Sequence, residues 1–133
     1  MDEKIKITIE LDEQDLLDVL TTALEGGSNY WYLIDNWRSL KLKAANIANE
    51  EGIPMEEIHC GVDKIWLLIK RGIAIRILDA EEVEEYLGDL TMDALKKGAQ
   101  MYIQERGHFD PCMDAEEADC FFQYAIMGEI VYG

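Results

Sequence analysis

Between Lys4 and Glu10 apolar and polar positions alternate one for one, with Ile5, Ile7 and Ile9 set against Lys4, Lys6, Thr8 and Glu10. A period of two predicts a strand with one buried face over about residues 3–11. The period then lengthens. Leu16, Leu20, Ala23 and Leu24 share one helical face, with Leu17 beside them and Asp12 placed as the cap. Asp12, Glu13 and Asp15 fall at the end of the helix where its dipole favours acids. Gly26 and Gly27 are expected to stop this helix in the left-handed conformation of a C-cap. Ser28 is expected to cap a second helix, because Tyr30, Leu33, Ile34, Trp37, Leu40, Ala44 and Ile47 recur at steps of three and four. Gly52 and Pro54 close it, and residues 53–62 read as a loop.

The next stretch, DKIWLLIKRGIAIRILDAEE, reads as a hairpin. Ile65 to Ile69 is an almost unbroken apolar run, Arg71-Gly72 suits a tight turn, and Ile73, Ile75 and Ile77 alternate with Ala74, Arg76 and Leu78. Residues 79–89 fit either a short capped helix or an acidic turn followed by a strand at 83–87. Thr91 caps a helix reaching Arg106, with Met92, Leu95, Ala99 and Tyr102 inward and Gly107 as its stop. Asp114 and Glu117 have capping-box spacing ahead of a last helix bearing Ala118, Phe121, Phe122 and Ala125. Gly128 ends it, and the tail EIVYG reads as a short strand and a candidate homodimer seam. These elements predict a single α+β domain over residues 1–133, a small antiparallel sheet packed with about four helices.

Charge changes the picture most. The chain holds 28 acidic against 12 basic residues, a formal net charge of −16. Such a surface repels nucleic acid and anionic lipid, so direct binding of either is not expected. No apolar run approaches the ~18 residues of a membrane span. MDEKIKITIE has neither the basic nor the apolar region of a signal peptide, and a cytoplasmic location is the expectation. Cys60, Cys112 and Cys120 form an odd set without the spacing of a disulfide framework, as expected of reduced thiols.

Candidate chemistry is sparse. P-loop, GxGxxG, HExxH, GxSxG and CxxC patterns are all missing, which favours a non-enzymatic role and no cofactor. His108, Cys112 and Cys120, with Asp110 and Asp119 nearby, lack the paired short spacing of a zinc site, and no metal is expected. Asp79, Glu81, Glu82, Glu84, Glu85, Asp89 and Asp93 form a dense acidic run, but without the alternating ligands and bend glycine of a calcium loop. Carboxylates so spaced imitate a phosphate ladder, which makes Glu81, Glu82, Glu84, Glu85 and Asp89 the candidate contacts for a basic, nucleic-acid-handling protein. Tyr30, Trp31 and Tyr32 cannot all face the core of one helix, so one of them, Trp31 or Tyr32, is expected to point outward as a contact, and Trp31 joins that list. The alternative is a small-ligand or nucleotide site at Gly26, Gly27, Ser28, Asn29, Tyr30, Trp31 and Tyr32, with the anion at a helix N-terminus.

TALEGGSNYWY (22–32) and DAEEADCFFQYAIMGEIVYG (114–133) resemble the two ends of a family of small uncharacterised proteins found in phages, prophages and their bacterial hosts. GIAIRILDAEE and YLGDLTMDALKKGAQMYI are similar to its middle section, while residues 33–62 match poorly. The resemblance implies a mobile-element accessory protein that binds a host protein. It also implies a strand, not a helix, at 83–87. It implies no catalytic residue.

Overall fold

The computed structural model describes residues 8–133, and the fold is α+β. The strand expected at 3–11 lies largely outside the described residues, and its described end, 8–11, is irregular. Helix α1 (Glu13–Thr22) begins where Asp12 accepts the Asp15 amide at 2.9 Å. Leu16, Val19 and Leu20 form its buried stripe. It does not end in a left-handed cap. The chain widens into a π turn, Ala23–Gly27, closed by the Ser28 amide on the Ala23 carbonyl at 2.8 Å. Neither Gly26 nor Gly27 has a positive φ. Gly27 is needed for another reason, since a Cβ there would stand 2.3 Å from the Ala115 carbonyl oxygen.

The helix expected from Ser28 is also corrected. Residues 28–31 turn, Tyr32–Ile34 form strand β1, and helix α2 (Trp37–Glu51) starts only after Asn36 adopts a left-handed φ of 54°. Local periodicity lost here to distant partners for Ser28, Tyr30 and Trp31, residue types with little helical preference of their own. A short 3-10 turn, Met55–Ile58, leads to helix α3 (Gly61–Lys70), where a strand was expected. The apolar run is buried on most sides, through Val62, Ile65, Leu67, Leu68 and Ile69, and such a run has no readable period. Arg71-Gly72, with Gly72 at φ 80°, ends a helix instead of turning a hairpin.

Strand β2 (Ile75–Asp79) is central and antiparallel to both β1 and β3 (Tyr86–Leu90), in the order β1-β2-β3. Glu81, Glu82, Glu84 and Glu85 form the β2–β3 turn, and the strand expected at 83–87 is corrected to Tyr86–Leu90, three residues later. Ile75 and Ile77 are fully buried on the core face of β2. Helix α4 (Met92–Arg106) is capped by Thr91 as predicted, and α5 (Ala115–Met127) by Asp114, whose carboxylate accepts the Glu117 amide at 2.9 Å. Helices α4 and α5 form the most extensive helix pair, and α5 also packs on β3 and on the π turn. Residues 128–133 form no strand. They fold back across α5. Among the described residues, no helix is long and apolar enough to cross a membrane.

Candidate functional site

Asp119 and Gln123 stand one turn apart on α5, on a face nearly free of solvent, at 7% and 1% exposure. A carboxylate so placed must have its lone pairs satisfied. The loop after the π turn supplies the donors. Asp119 Oδ1 accepts from Ser28 Oγ and from Trp31 Nε1, each at 2.7 Å. Its Oδ2 accepts from the Tyr30 hydroxyl at 2.7 Å and from Gln123 Nε2 at 3.1 Å. Ser28, which was expected to cap a helix, spends its hydroxyl here and is fully buried. Tyr32 donates to the Leu24 carbonyl at 2.8 Å and so ties the loop back to the π turn.

Gln123 extends the network to the tail. Its Oε1 accepts from the backbone amides of Val131 and Tyr132, both at 2.8 Å, and its Nε2 donates to the Tyr132 carbonyl at 3.2 Å. The Tyr132 ring stacks on Trp31 at 5.3 Å and 16°, and its hydroxyl donates to Asp79 Oδ2. Asp79 Oδ1 in turn accepts from the amides of Glu81 and Glu82, at 2.7 and 2.8 Å, which shapes the acidic turn. Loop, helix, tail and acidic turn thus share one hydrogen-bonded chain.

The electrostatics follow that chain. The hydroxyl of Tyr132, followed by the two backbone amides, holds the Asp79 carboxyl below its usual range against the opposing effect of burial. Tyr132 is pushed up to about 12, first by its bond to Asp79, then by burial and the charges of Asp79, Glu85 and Glu81. Tyr30 is raised by burial of its hydroxyl and by its bond to Asp119. In the first turn of α5, Glu117 is lowered first by the Tyr102 hydroxyl at 2.5 Å and also by Arg106.

A cleft of about 480 Å³ opens beside this network. Gly26, Gly27 and Tyr30 form one wall, the first turn of α5 with Glu116 and Glu117 the other, and Ile130, Tyr132 and Gly133 the rim. A smaller cavity of about 90 Å³ lies beyond Tyr30 and Tyr132 and is lined by Trp31, Asp79 and Glu81. Neither is lined by Lys or Arg among the described residues.

The sequence-predicted residues fall into separate groups. Glu81, Glu82, Glu84 and Glu85 are all exposed on the β2–β3 turn. Asp89 sits apart on β3, half-buried and in register with Arg76. Trp31 is corrected from an exposed contact to a core residue at 2% exposure, because its indole N–H finds Asp119 and its ring lies between Phe122 and Tyr132. Tyr30 is the aromatic that faces outward, at 50%. Of the alternative ligand residues, Gly26, Gly27 and Tyr30 line the cleft, Asn29 is exposed, and Ser28 and Trp31 lie beneath. The helix N-terminus once expected there to hold an anion does not exist, and the α5 N-terminus that lines the cleft carries Glu116 and Glu117. Burial pushes the Cys120 thiol up. Among the described residues, no group of three or more His, Cys, Asp and Glu is arranged to hold a metal ion.

Asp119 and Gln123 were missed as the organising pair. The only sequence signal for them was two polar residues, one turn apart, within the apolar run of α5. No protein-family model, no curated protein and no solved structure matches this chain.

Proposed function

We propose that the protein is a non-catalytic binding module, an accessory protein of the mobile-element kind, that engages a basic segment of a host protein. The observation that carries this is the gathering of acidic groups around one pair of tyrosines. Glu81 and Asp79 line the small cavity on one side of Tyr30 and Tyr132, and Glu116 and Glu117 line the large cleft on the other. Coulomb attraction between this surface and a Lys- or Arg-rich segment raises the rate of encounter, and the clefts give it shape. A nucleic-acid-handling host protein has such a segment.

The test is quantitative capture from bacterial lysate at low and high salt, with the quadruple variant Glu81→Gln, Glu82→Gln, Glu84→Gln and Glu85→Gln as control. A basic protein held in near-stoichiometric amount at low salt, released at high salt and lost with the variant is the expected result. Capture that the variant leaves unchanged at low salt overturns the reading.

A second reading is favoured by the size of the larger cleft, which suits a small molecule resting against Tyr30 and the Gly26-Gly27 backbone. Its carboxylate lining selects an amine or guanidinium and disfavours a nucleotide. A rise in melting temperature with an amine-bearing ligand panel, and none with nucleotides, is the result this reading expects.

A further inference from the structure

We propose that the outer face of the three-stranded sheet is the docking surface for the basic segment, and that this segment is an amphipathic helix whose apolar stripe lies across the strands. The inference rests on the acidic surface being the partner-binding face, and it names the centre of that surface and the shape of the partner.

Register decides which side chains share that face. Residues opposite one another in an antiparallel pair point the same way. Leu33 stands opposite Leu78, and Leu78 opposite Tyr86. Ile75 and Ile77 of β2 are buried in the core, so Arg76 and Leu78, which alternate with them, point outward. Leu33, Leu78 and Tyr86 therefore form one apolar row across all three strands, with Leu33 and Tyr86 41% and 46% exposed. Strands lie about 4.8 Å apart, which makes the row about 10 Å long. Apolar residues at i, i+4 and i+7 of a helix span the same length, at about 1.5 Å of rise per residue.

Carboxylates border this row on both sides. At the turn, the Glu85 carbonyl accepts the Asp79 amide at 3.0 Å, directly before Tyr86, and Glu81, Glu82 and Glu84 occupy the rest of the turn, exposed. On the other side the next row holds Asp35, Arg76 and Asp89. The Asp35 amide donates to the Arg76 carbonyl at 3.0 Å, and Arg76 is in register with Asp89. Arg76 is already occupied, with its Nε on Asp35 at 3.2 Å and its guanidinium 4.3 Å from the centre of the Tyr86 ring. Among the described residues Asp89 has no basic partner, and its buried Oδ1 accepts no hydrogen bond. An apolar row between two lines of acids is the complement of a helix with one apolar stripe and lysine or arginine on both flanks. A second copy of this chain would set acid against acid.

The experiment uses the full chain and a labelled helical peptide, KALKKALKALKKAL, followed by fluorescence anisotropy at low salt. Its leucines fall in one stripe. A second peptide, KALLKKAKLAKLAK, has the same composition with the leucines spread around the helix. The striped peptide should bind at least tenfold tighter than the spread one, because only its stripe can cover the row. Leu33→Ala and Tyr86→Ala should each weaken it at least fivefold, whereas Leu42→Ala, at an exposed leucine of α2, should leave it unchanged. Amide chemical shifts of the wild type should change most on β1, β2 and β3 when the striped peptide is added, a result that stands even if a variant fails to fold. Equal affinity for the two peptides, unchanged affinity in Leu33→Ala and Tyr86→Ala, or largest shifts away from the sheet overturns the proposal. If both peptides bind equally and the quadruple glutamine variant loses both, the sheet face falls and the acidic surface stands. If the quadruple variant keeps the striped peptide at wild-type affinity, or neither peptide binds at low salt, both fall.

Discussion

Along α5, the side turned to α4 and the side turned to the 28–32 loop are joined by different forces. Toward α4 the contact is steric. Gly98 lets the helices approach until a Cβ at that position would lie 2.7 Å from the Cα and Cβ of Ala125. Phe109, Phe121 and Tyr102 pack nearby edge to face, at 5.5 and 5.7 Å. Toward the loop the contact is polar. Asp119 and Gln123 present hydrogen-bonding groups where an ordinary core helix presents methyls, and the loop and tail are shaped to meet them. The first side is sensitive to volume. The second is sensitive to the loss of a single acceptor, because two of the donors it would abandon, on Ser28 and Trp31, are buried.

The strongest way to break this comparison is Asp119→Ala. It leaves the Ser28 hydroxyl and the Trp31 indole N–H buried without partners, at ~1–3 kcal/mol for each orphaned group, so a total loss of ~4 kcal/mol is expected. Urea unfolding measures the loss. A cost below ~1 kcal/mol would mean that water replaces the carboxylate and that this side is not organised by it. Gly98→Ala comes next. Its added methyl has no room against Ala125 Cα, and a loss of ~1–3 kcal/mol from overpacking is expected. The same denaturation midpoints check it, and Trp31 fluorescence in the native state should be unchanged, since the strain lies on the other side of α5.

The smallest effect is a titration. Tyr132 has its folded value raised to about 12 from an ordinary value near 10. A raised value stabilises the tail below the unfolded value, and that contribution is lost as pH rises from about 10 through 12. Asp79 has the opposite sign. Its lowered carboxyl stabilises above the ordinary carboxylate range near 4, and the contribution is lost as pH falls through the folded value. Tyr132→Phe should lower the melting temperature by a few degrees, about the effect of one hydrogen bond. It should also remove one step near pH 12 from the difference in tryptophan emission between variant and wild type. An unchanged alkaline profile would place Tyr132 outside the network.

The two sides were not equally legible in the sequence. Helix α4, with Thr91 before it and Gly107 after, was readable because cap, stripe and stop lie within one local segment. Strand β2 was readable from Ile75 and Ile77, and α1 from Asp12 and its stripe. The 28–36 segment was misread because Ser28, Tyr30 and Trp31 answer to Asp119, some ninety residues on. Helix α3 was misread because a segment buried on most sides carries no period. Glu81, Glu82, Glu84 and Glu85 are exposed as expected, but Glu84 and Glu85 lie in the turn and not in a strand at 83–87, and Trp31, assigned to the same surface, lies beneath it.

By itself, then, the sequence determined the α+β class, the capped helices and the excess of negative charge, since each depends on neighbours within a few residues or on composition alone. Only the tertiary structure decided which aromatic is buried, why Gly27 must lack a side chain, and how the tail is held. Those outcomes depend on where the lone pairs of Asp119, Gln123 and Asp79 find their donors. A buried acceptor takes its partner from whatever part of the chain the packing brings near, and no local pattern records that choice.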